Sequence, residues 1–316
     1  MKVKVAVVMD PIESIKPYKD STFAMLLEAQ RRAHSIYYLR PNSLFVLDGE
    51  PFAQAAELTV RDQSSDWFSI SNFTPINLCE FDVILMRKDP PFNMQYIYTS
   101  YTLELAEKKG TLIVNRTSAL RNMNEKFSIS NFPQCCAPTL ITSDRNKIDE
   151  FIQEHSDIVV KPLDAMGGES IFKLSQKEPN KRSIIDHLTN NGETSIMAQR
   201  FIPQIEKGDK RILIVNGEPI PYALARIPAS GEFRANLAVG GTGQGVPLSD
   251  QDRQICTEIK TSLMENGILF AGIDVIGPYL TEINITSPTC IRELDSQYDL
   301  NISGILFDQI EKTLTI

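Results

Sequence analysis

The chain has 316 residues, 23% of them charged and 42% hydrophobic, with a formal net charge of −8. That length suffices for two or three domains with cores of their own, and the composition excludes a disordered chain. The acidic balance, with no basic patch, argues against nucleic acid or an anionic membrane as partner, and no apolar run is long enough to span a bilayer.

Met1 to Asp10 holds too short an apolar run for a secretion signal, so the expected location is cytoplasmic. Cys79, Cys135, Cys136, Cys256 and Cys290 are odd in number and scattered, the usage of reduced thiols rather than of a disulfide framework or a zinc site. His34, His155 and His187 have no ligand spacing and read as surface or packing residues.

In chain order, Val3 to Val8 reads as a buried strand, and Asp20-Ser21 caps an amphipathic helix through Phe23, Leu26, Leu27 and Gln30. Ser43 to Val60 reads as a strand pair around Asp48-Gly49. Phe81 to Met86 and Thr111 to Val114 follow as buried strands with a helix near Tyr101 to Lys109 between them, which predicts a parallel, Rossmann-like sheet. Arg87 stands just beyond the strand ending at Met86, where ligands of open α/β sheets collect. It is a substrate candidate, with a salt-bridged loop arginine as the equal alternative.

Near residue 120 the texture changes, and Asn124-Glu125-Lys126-Phe127 opens a second module. Ile158 to Lys161 is a strand ending in lysine, followed by a loop with Gly167-Gly168 and a returning strand near Ser170 to Leu174. Met197 to Pro203 reads as an edge strand stopped by proline. Arg211 to Arg226 is a hairpin turning at Asn216-Gly217, and counting out from that turn sets Arg211 opposite Tyr222 with Arg226 on the same face. Ile227 to Pro247 is glycine-rich and aperiodic, either a floppy segment or a lid.

Phe270 to Asn284 reads as two strands joined at Gly277-Pro278-Tyr279. A symmetric three-residue turn sets Asp274 opposite Glu282, and Asn284 opposite Gly272. Facing carboxylates are unfavourable unless a cation joins them, and three oxygen donors without His or Cys suit magnesium. A solvated polar face on an edge hairpin is the alternative. No P-loop motif and no Gly-x-Gly-x-x-Gly fingerprint occurs, so any phosphate site is dispersed over residues such as Lys126, Lys161, Gly167 and Gly168.

This set resembles the ATP-grasp superfamily and, within it, the bacterial-type glutathione synthetases. The resemblance rests on Met9-Asp-Pro11, Ser21 to Arg32, Val83 to Phe92, Gly208-Asp-Lys-Arg211, Ala225-Arg-Ile-Pro228 and Thr281 to Glu293. It implies an N-terminal Rossmann-like (pre-ATP-grasp) domain over residues 1–120, an ATP-grasp lid subdomain over 121–200 and a C-terminal catalytic subdomain over 201–316. It also implies ATP binding by Lys126, Lys161, Gly167, Gly168, Gln199, Arg200, Phe201, Ile202 and Asp209, the last at the ribose. The metal ligands of the family fall on Asp274, Glu282 and Asn284, with Mg2+ or alternatively Mn2+.

The implied reaction ligates γ-glutamylcysteine with glycine through an acyl phosphate, with another ATP-grasp carboxylate–amine ligase as the alternative. Arg211 and Arg226 are the candidates to stabilise charge as the carboxylate attacks, Ser287 and Thr289 the candidate substrate hydroxyls, and Ile227 to Thr242 the cover over the intermediate. Ser287 and Thr289 read equally as structural caps. Cys290 is assigned to packing. A homotetramer is implied, with no nucleic-acid or membrane partner. Ala165 stands where the family's small loop often has glycine, and Thr242 where arginine is expected.

Overall fold

The computed structural model of the chain describes residues 2–229, 235 and 241–315. Its first sheet has seven strands: β1 (Lys4–Val8), β2 (Ser35–Leu47), β3 (Glu50–Val60), β4 (Phe68–Ile70), β5 (Thr74–Asn77), β6 (Val83–Met86) and β7 (Leu112–Val114). The centre, β2-β1-β6-β7, is parallel as expected, while β3, β4 and β5 extend it antiparallel. The cause lies in β2. It starts at Ser35 rather than Ser43, pairs with β1 through Leu39, shifts register, and then turns back on β3 at Asp48-Gly49. Both turn residues have positive φ, +50° and +80°, as a two-residue hairpin loop demands.

Asp20 caps α1 (Ser21–Arg31) by accepting from the Phe23 amide, and the helix buries Phe23, Met25, Leu26 and Ala29. The helix expected near Tyr101 to Lys109 is α2 (Met94–Glu107), begun by an Asn93 cap, and α3 (Thr117–Asn122) follows β7.

A four-stranded antiparallel sheet comes next, in the order β10-β9-β11-β8, from β8 (Thr139–Thr142), β9 (Asp157–Pro162), β10 (Phe172–Ser175) and β11 (Ile196–Arg200). Ile148 and Ile152 of α4 (Arg145–His155) and Ile185 and Leu188 of α5 (Lys181–Leu188) form its core with Ile158, Val160 and Ile196. The expected edge strand from Met197 is an interior one. β11 lies between β9 and β8, and Pro203 falls beyond its end, so the proline says nothing about edge position.

The third sheet is antiparallel in the order β14-β13-β12-β15-β16, from β12 (Asp209–Val215), β13 (Glu218–Ile227), β14 (Thr242–Pro247), β15 (Phe270–Ile276) and β16 (Tyr279–Asn284). A bulge between Ile212 and Ile214 moves Arg211 opposite Leu224, two residues from the expected Tyr222, and so keeps its face. Part of the segment expected to be aperiodic is β14, paired along β13 from Ile227↔Thr242 to Tyr222↔Pro247. Its glycines are packing requirements. A Cβ on Gly245 would lie 2.2 Å from the Tyr298 ring, which stacks on Tyr222.

α6 (Asp250–Glu265), begun by a Ser249 capping box, buries Ile255, Ile259 and Leu263 against this sheet. α7 (Ile291–Tyr298) and α8 (Ile302–Leu314) leave it and pack on α1. Leu294, Leu306 and Phe307 share one core with Phe23 of α1 and with Val5 and Val7 of the first sheet. Asn115 makes a second tie, donating to the Phe270 and Ile285 carbonyls and accepting from the Leu269 and Phe270 amides, all within 2.9 Å. These ties fix the first sheet against the mouth of the third.

Candidate active site

Asp274 is opposite Glu282 and Gly272 opposite Asn284, as counted from the sequence, but by another route. The loop has two residues, Gly277 and Pro278, with Gly277 at φ +57°, and an extra residue in β16 at Thr281 restores the offset. The side chain at Gly272 is excluded for a second reason, since a Cβ there would lie 2.9 Å from both Arg211 and Pro288.

The facing carboxylates do not need a metal to be tolerated, which corrects the argument made from their spacing alone. Arg211 stands beside Asp274 on the neighbouring strand and binds it at 2.5 and 3.0 Å, and Arg226 reaches the same carboxylate at 2.9 Å. Arg226 also binds Asp209 at 2.5 Å. Glu282 is met by Lys161 of β9 at 3.7 Å and by Lys126, in the segment between α3 and β8, at 3.9 Å. The row is therefore cross-strand ion pairing in which each acid has cations on its flanks.

Burial alone would push the Asp274 carboxyl up, but the two guanidinium groups outweigh it and hold it well below the usual carboxylate range. Burial pushes Lys161 down from the ordinary lysine value, against the pull of Glu282. Asp209 keeps one oxygen buried without a hydrogen-bond partner.

Two adjoining cavities open on this row. The first lies between the four-stranded and five-stranded sheets, and every residue expected to bind ATP lines it: Lys126, Lys161, Gly167, Gly168, Gln199, Arg200, Phe201, Ile202 and Asp209. Asp274, Glu282 and Asn284 line it too, and Val159, Ile171, Ile205 and Ile276 supply apolar wall. Gly167 and Gly168 have φ of +66° and +85°, which explains glycine at both. Lys126 donates to the Ala165 carbonyl, so the alanine contributes its backbone whatever its side chain.

The second cavity runs toward the first sheet and holds Arg211, Arg226, Ser287 and Thr289. Arg87 lines neither cavity. Its buried guanidinium donates to Thr22 at 3.0 Å and to the Pro288 carbonyl at 2.8 Å, and it lies over the Phe270 ring, which fastens the Ser287–Cys290 loop to α1. Among the described residues it has no ion-pair partner, so the alternative of a salt-bridged loop arginine does not hold. Cys290 is buried in the core as assigned, and burial pushes its thiol up. All five cysteines are free. The cover placed on Ile227 to Thr242 falls largely on 230–234 and 236–240, outside the described residues.

Glu125 was not singled out from sequence, yet it lines both cavities and accepts from Thr286 Oγ1 at 2.7 Å while its carbonyl accepts from Ile283. Burial pushes its carboxyl up. Its only signal was adjacency to Lys126.

The residues fit a hard divalent cation. Asp274, Glu282 and Asn284 all offer side-chain oxygen, and the arginines, which take three of the roughly four lone-pair positions on Asp274, leave about one open. No group of three or more His, Cys, Asp or Glu suited to a metal occurs among the described residues, so a third donor must be an amide such as that of Asn284.

The families described as prokaryotic glutathione synthetase, N-terminal domain and ATP-grasp domain match residues 3–121 and 125–299. The chain is 51% identical over 311 residues to the glutathione synthetase of Xanthomonas campestris pv. campestris, covering 98% of each chain. It is 50% identical over 314 residues to that of Vibrio vulnificus, covering 99% of each. In fold it is similar to a crystal structure of D-cycloserine synthetase, with a TM-score of 0.66 at 13% identity over 97% of this chain and 99% of that one. It is also similar to the ATP-grasp ligase PsnB complexed with minimal precursor, Mg and ADP, with a TM-score of 0.63 at 15% identity over 99% and 98%.

Proposed function

Because the chain belongs to the prokaryotic glutathione synthetase family, we propose that its two joined cavities divide the ligation into a nucleotide side and an acid side. The enzyme is an ATP-dependent ligase that joins γ-L-glutamyl-L-cysteine to glycine, giving glutathione, ADP and phosphate. The observation that carries the division is the charge row at the seam, with Asp274 between two arginines and Glu282 between two lysines.

On the nucleotide side, Lys126 and Lys161 bind the phosphates, the Gly167-Gly168 backbone approaches them without side-chain obstruction, and Gln199 to Ile202 flank the base. Asp209 accepts a ribose hydroxyl, which its unpartnered buried oxygen supports. Asp274, Glu282 and Asn284 would hold Mg2+, or Mn2+ in its place, which when bound supplies positive charge against the β- and γ-phosphates. On the acid side, Arg211 and Arg226 orient the cysteinyl carboxylate and stabilise charge as it becomes an acyl phosphate, with Ser287 and Thr289 as hydroxyl donors. Arg87 acts at one remove, by holding the loop that carries those hydroxyls. The enzyme works as a cytoplasmic homotetramer with neither nucleic acid nor membrane as partner, a reading the net charge of −8 supports for the last two.

Release of ADP, followed by a coupled assay, is expected to require both γ-glutamylcysteine and glycine; turnover indifferent to the dipeptide would exclude this reading. Glu282→Ala is expected to lower kcat at least about a hundredfold while the folded protein keeps its circular dichroism. A fully active variant would refute the proposed role of Glu282.

A further inference from the structure

The residues proposed for the two ends of ATP stand on different sheets. Gln199 and Arg200 end β11 of the four-stranded sheet and lead into Phe201 and Ile202, whereas Asp274, Glu282 and Asn284 belong to β15 and β16 of the five-stranded one. A ligand bound at both ends gains from its second contact only in so far as the two halves of the site are held at the right spacing. Play between the sheets is therefore lost affinity.

Among the described residues, the polar side-chain contacts that join strands β8 to β11 directly to strands β12 to β16 come from Lys161 and Arg200. Lys161 reaches Glu282 at 3.7 Å and the Thr281 carbonyl at 3.4 Å. On the function reading above, that lysine turns onto the phosphates when nucleotide enters, and its ties to the other sheet are given up. Arg200 is then what remains. Its guanidinium donates to Tyr279 Oη at 2.9 Å and lies 5.6 Å from the centre of the same ring.

Tyr279 closes the Gly277-Pro278 turn, three residues before Glu282, and does not line the nucleotide cavity. With Arg200 and Gln204 it lines a separate cavity outside it. The turn itself is seated on Pro203–Lys207, the segment that joins the two sheets, since a Cβ on Gly277 would lie 3.1 Å from Gln204. Phe201, the next residue after Arg200, is fastened to its own sheet, with its amide on the Asp157 carbonyl at 3.0 Å and Lys173 3.9 Å from its ring centre.

Resting on that function reading, we propose that Tyr279 is a positioning residue for the nucleotide. Through Arg200 it fixes the base end of the site, on β11, against the hairpin that carries the metal ligands, so that the base and the phosphates are met at one spacing. The Arg200 guanidinium serves this tie rather than the base.

The test measures equilibrium binding of a non-hydrolysable ATP analogue with Mg2+, of adenosine and of tripolyphosphate with Mg2+ to the wild type, Tyr279→Phe, Arg200→Gln and the double variant. Tyr279→Phe keeps the ring and removes the hydroxyl. It is expected to weaken the ATP analogue about three- to tenfold, the range for one hydrogen bond, and to shift adenosine and tripolyphosphate by less than about twofold, because each occupies one sheet only. The double variant is expected to bind the analogue no more weakly than the weaker single variant, since both remove one contact. In turnover, KM for ATP is expected to rise with the analogue's dissociation constant while KM for γ-glutamylcysteine stays unchanged. An ATP analogue bound equally well by Tyr279→Phe, an adenosine loss as large as the analogue's, or additive losses in the double variant would overturn the proposal. A wild type that fails to bind the analogue would sink the nucleotide reading and this inference with it, whereas wild-type binding without the expected loss in the variant overturns the inference alone.

Discussion

The two groups of charges that line the acid-side cavity differ in how they are partnered. At the seam, Arg211 and Arg226 are in contact with Asp274 and Asp209, whereas the carboxylates of Asp20, Asp89 and Glu293 have no arginine or lysine at ion-pair distance among the described residues. Paired charge fixes geometry before any ligand arrives, as a group that must stabilise developing charge requires. Charge without a contacting cation costs desolvation and fixes nothing, and burial pushes the Asp20 and Glu293 carboxyls up.

This contrast is open to breakage, beginning with the largest effect. Asp274→Ala strands Arg211 in the interior and leaves Arg226 with Asp209 alone, and urea unfolding is expected to show a loss of about 3–5 kcal/mol. A loss near zero would mean that the row is not an interlocked unit. A paired carboxylate away from the site makes the same point with pH. Burial alone would push Glu28 up, but hydrogen bonds from Arg31, Arg32 and Asn301 hold it at about 2, below its ordinary 4.5. Its stabilisation is therefore complete above about pH 4.5 and is lost as pH falls toward 2. Glu28→Gln is expected to remove roughly 2 kcal/mol at pH 7, discounted for the exposure of Arg31, and to flatten the acid limb of the stability profile. The smallest effect belongs to the unpaired group. Glu293→Gln is expected to change stability by less than about 1 kcal/mol, and in the stabilising direction, since it removes a desolvated charge with no cation at ion-pair distance. A large destabilisation there would erase the distinction between the two groups.

Much of the site was legible in the sequence because strand periodicity survives local irregularity. Asp274 was placed opposite Glu282 on the wrong turn, yet the bulge at Thr281 makes a two-residue loop equivalent to the expected one. Arg211 slipped two positions along β13, an even number, so it kept its face and its convergence with Arg226. What failed was inference about who neutralises whom. The cations on Asp274 and Glu282 come from segments distant in the chain, and no spacing within the hairpin could disclose them.

The Ser43 to Val60 strand pair was read from sequence, but its continuation into the parallel sheet was not, because β2 pairs with β1 and β3 at once through Tyr37 to Leu39; β14 was missed because Gly243 and Gly245 make a strand look like a loop. Arg87 sits where ligands collect, but two of its N–H groups are used on Thr22 and the Pro288 carbonyl, and it lines neither cavity. The unpaired group gave no sequence signal at all, since it assembles the turn before α1, the loop after β6 and the start of α7 from both ends of the chain.

The account depends most on the seam holding a cation and the nucleotide phosphates together. Crystals grown with a non-hydrolysable ATP analogue and Mn2+, read by anomalous scattering, test it most directly. The predicted result is a manganese peak about 2.2 Å from oxygens of Asp274, Glu282 and Asn284, with Lys126 and Lys161 moved from Glu282 onto the phosphates. A nucleotide bound in the first cavity with the manganese away from all three residues would contradict it.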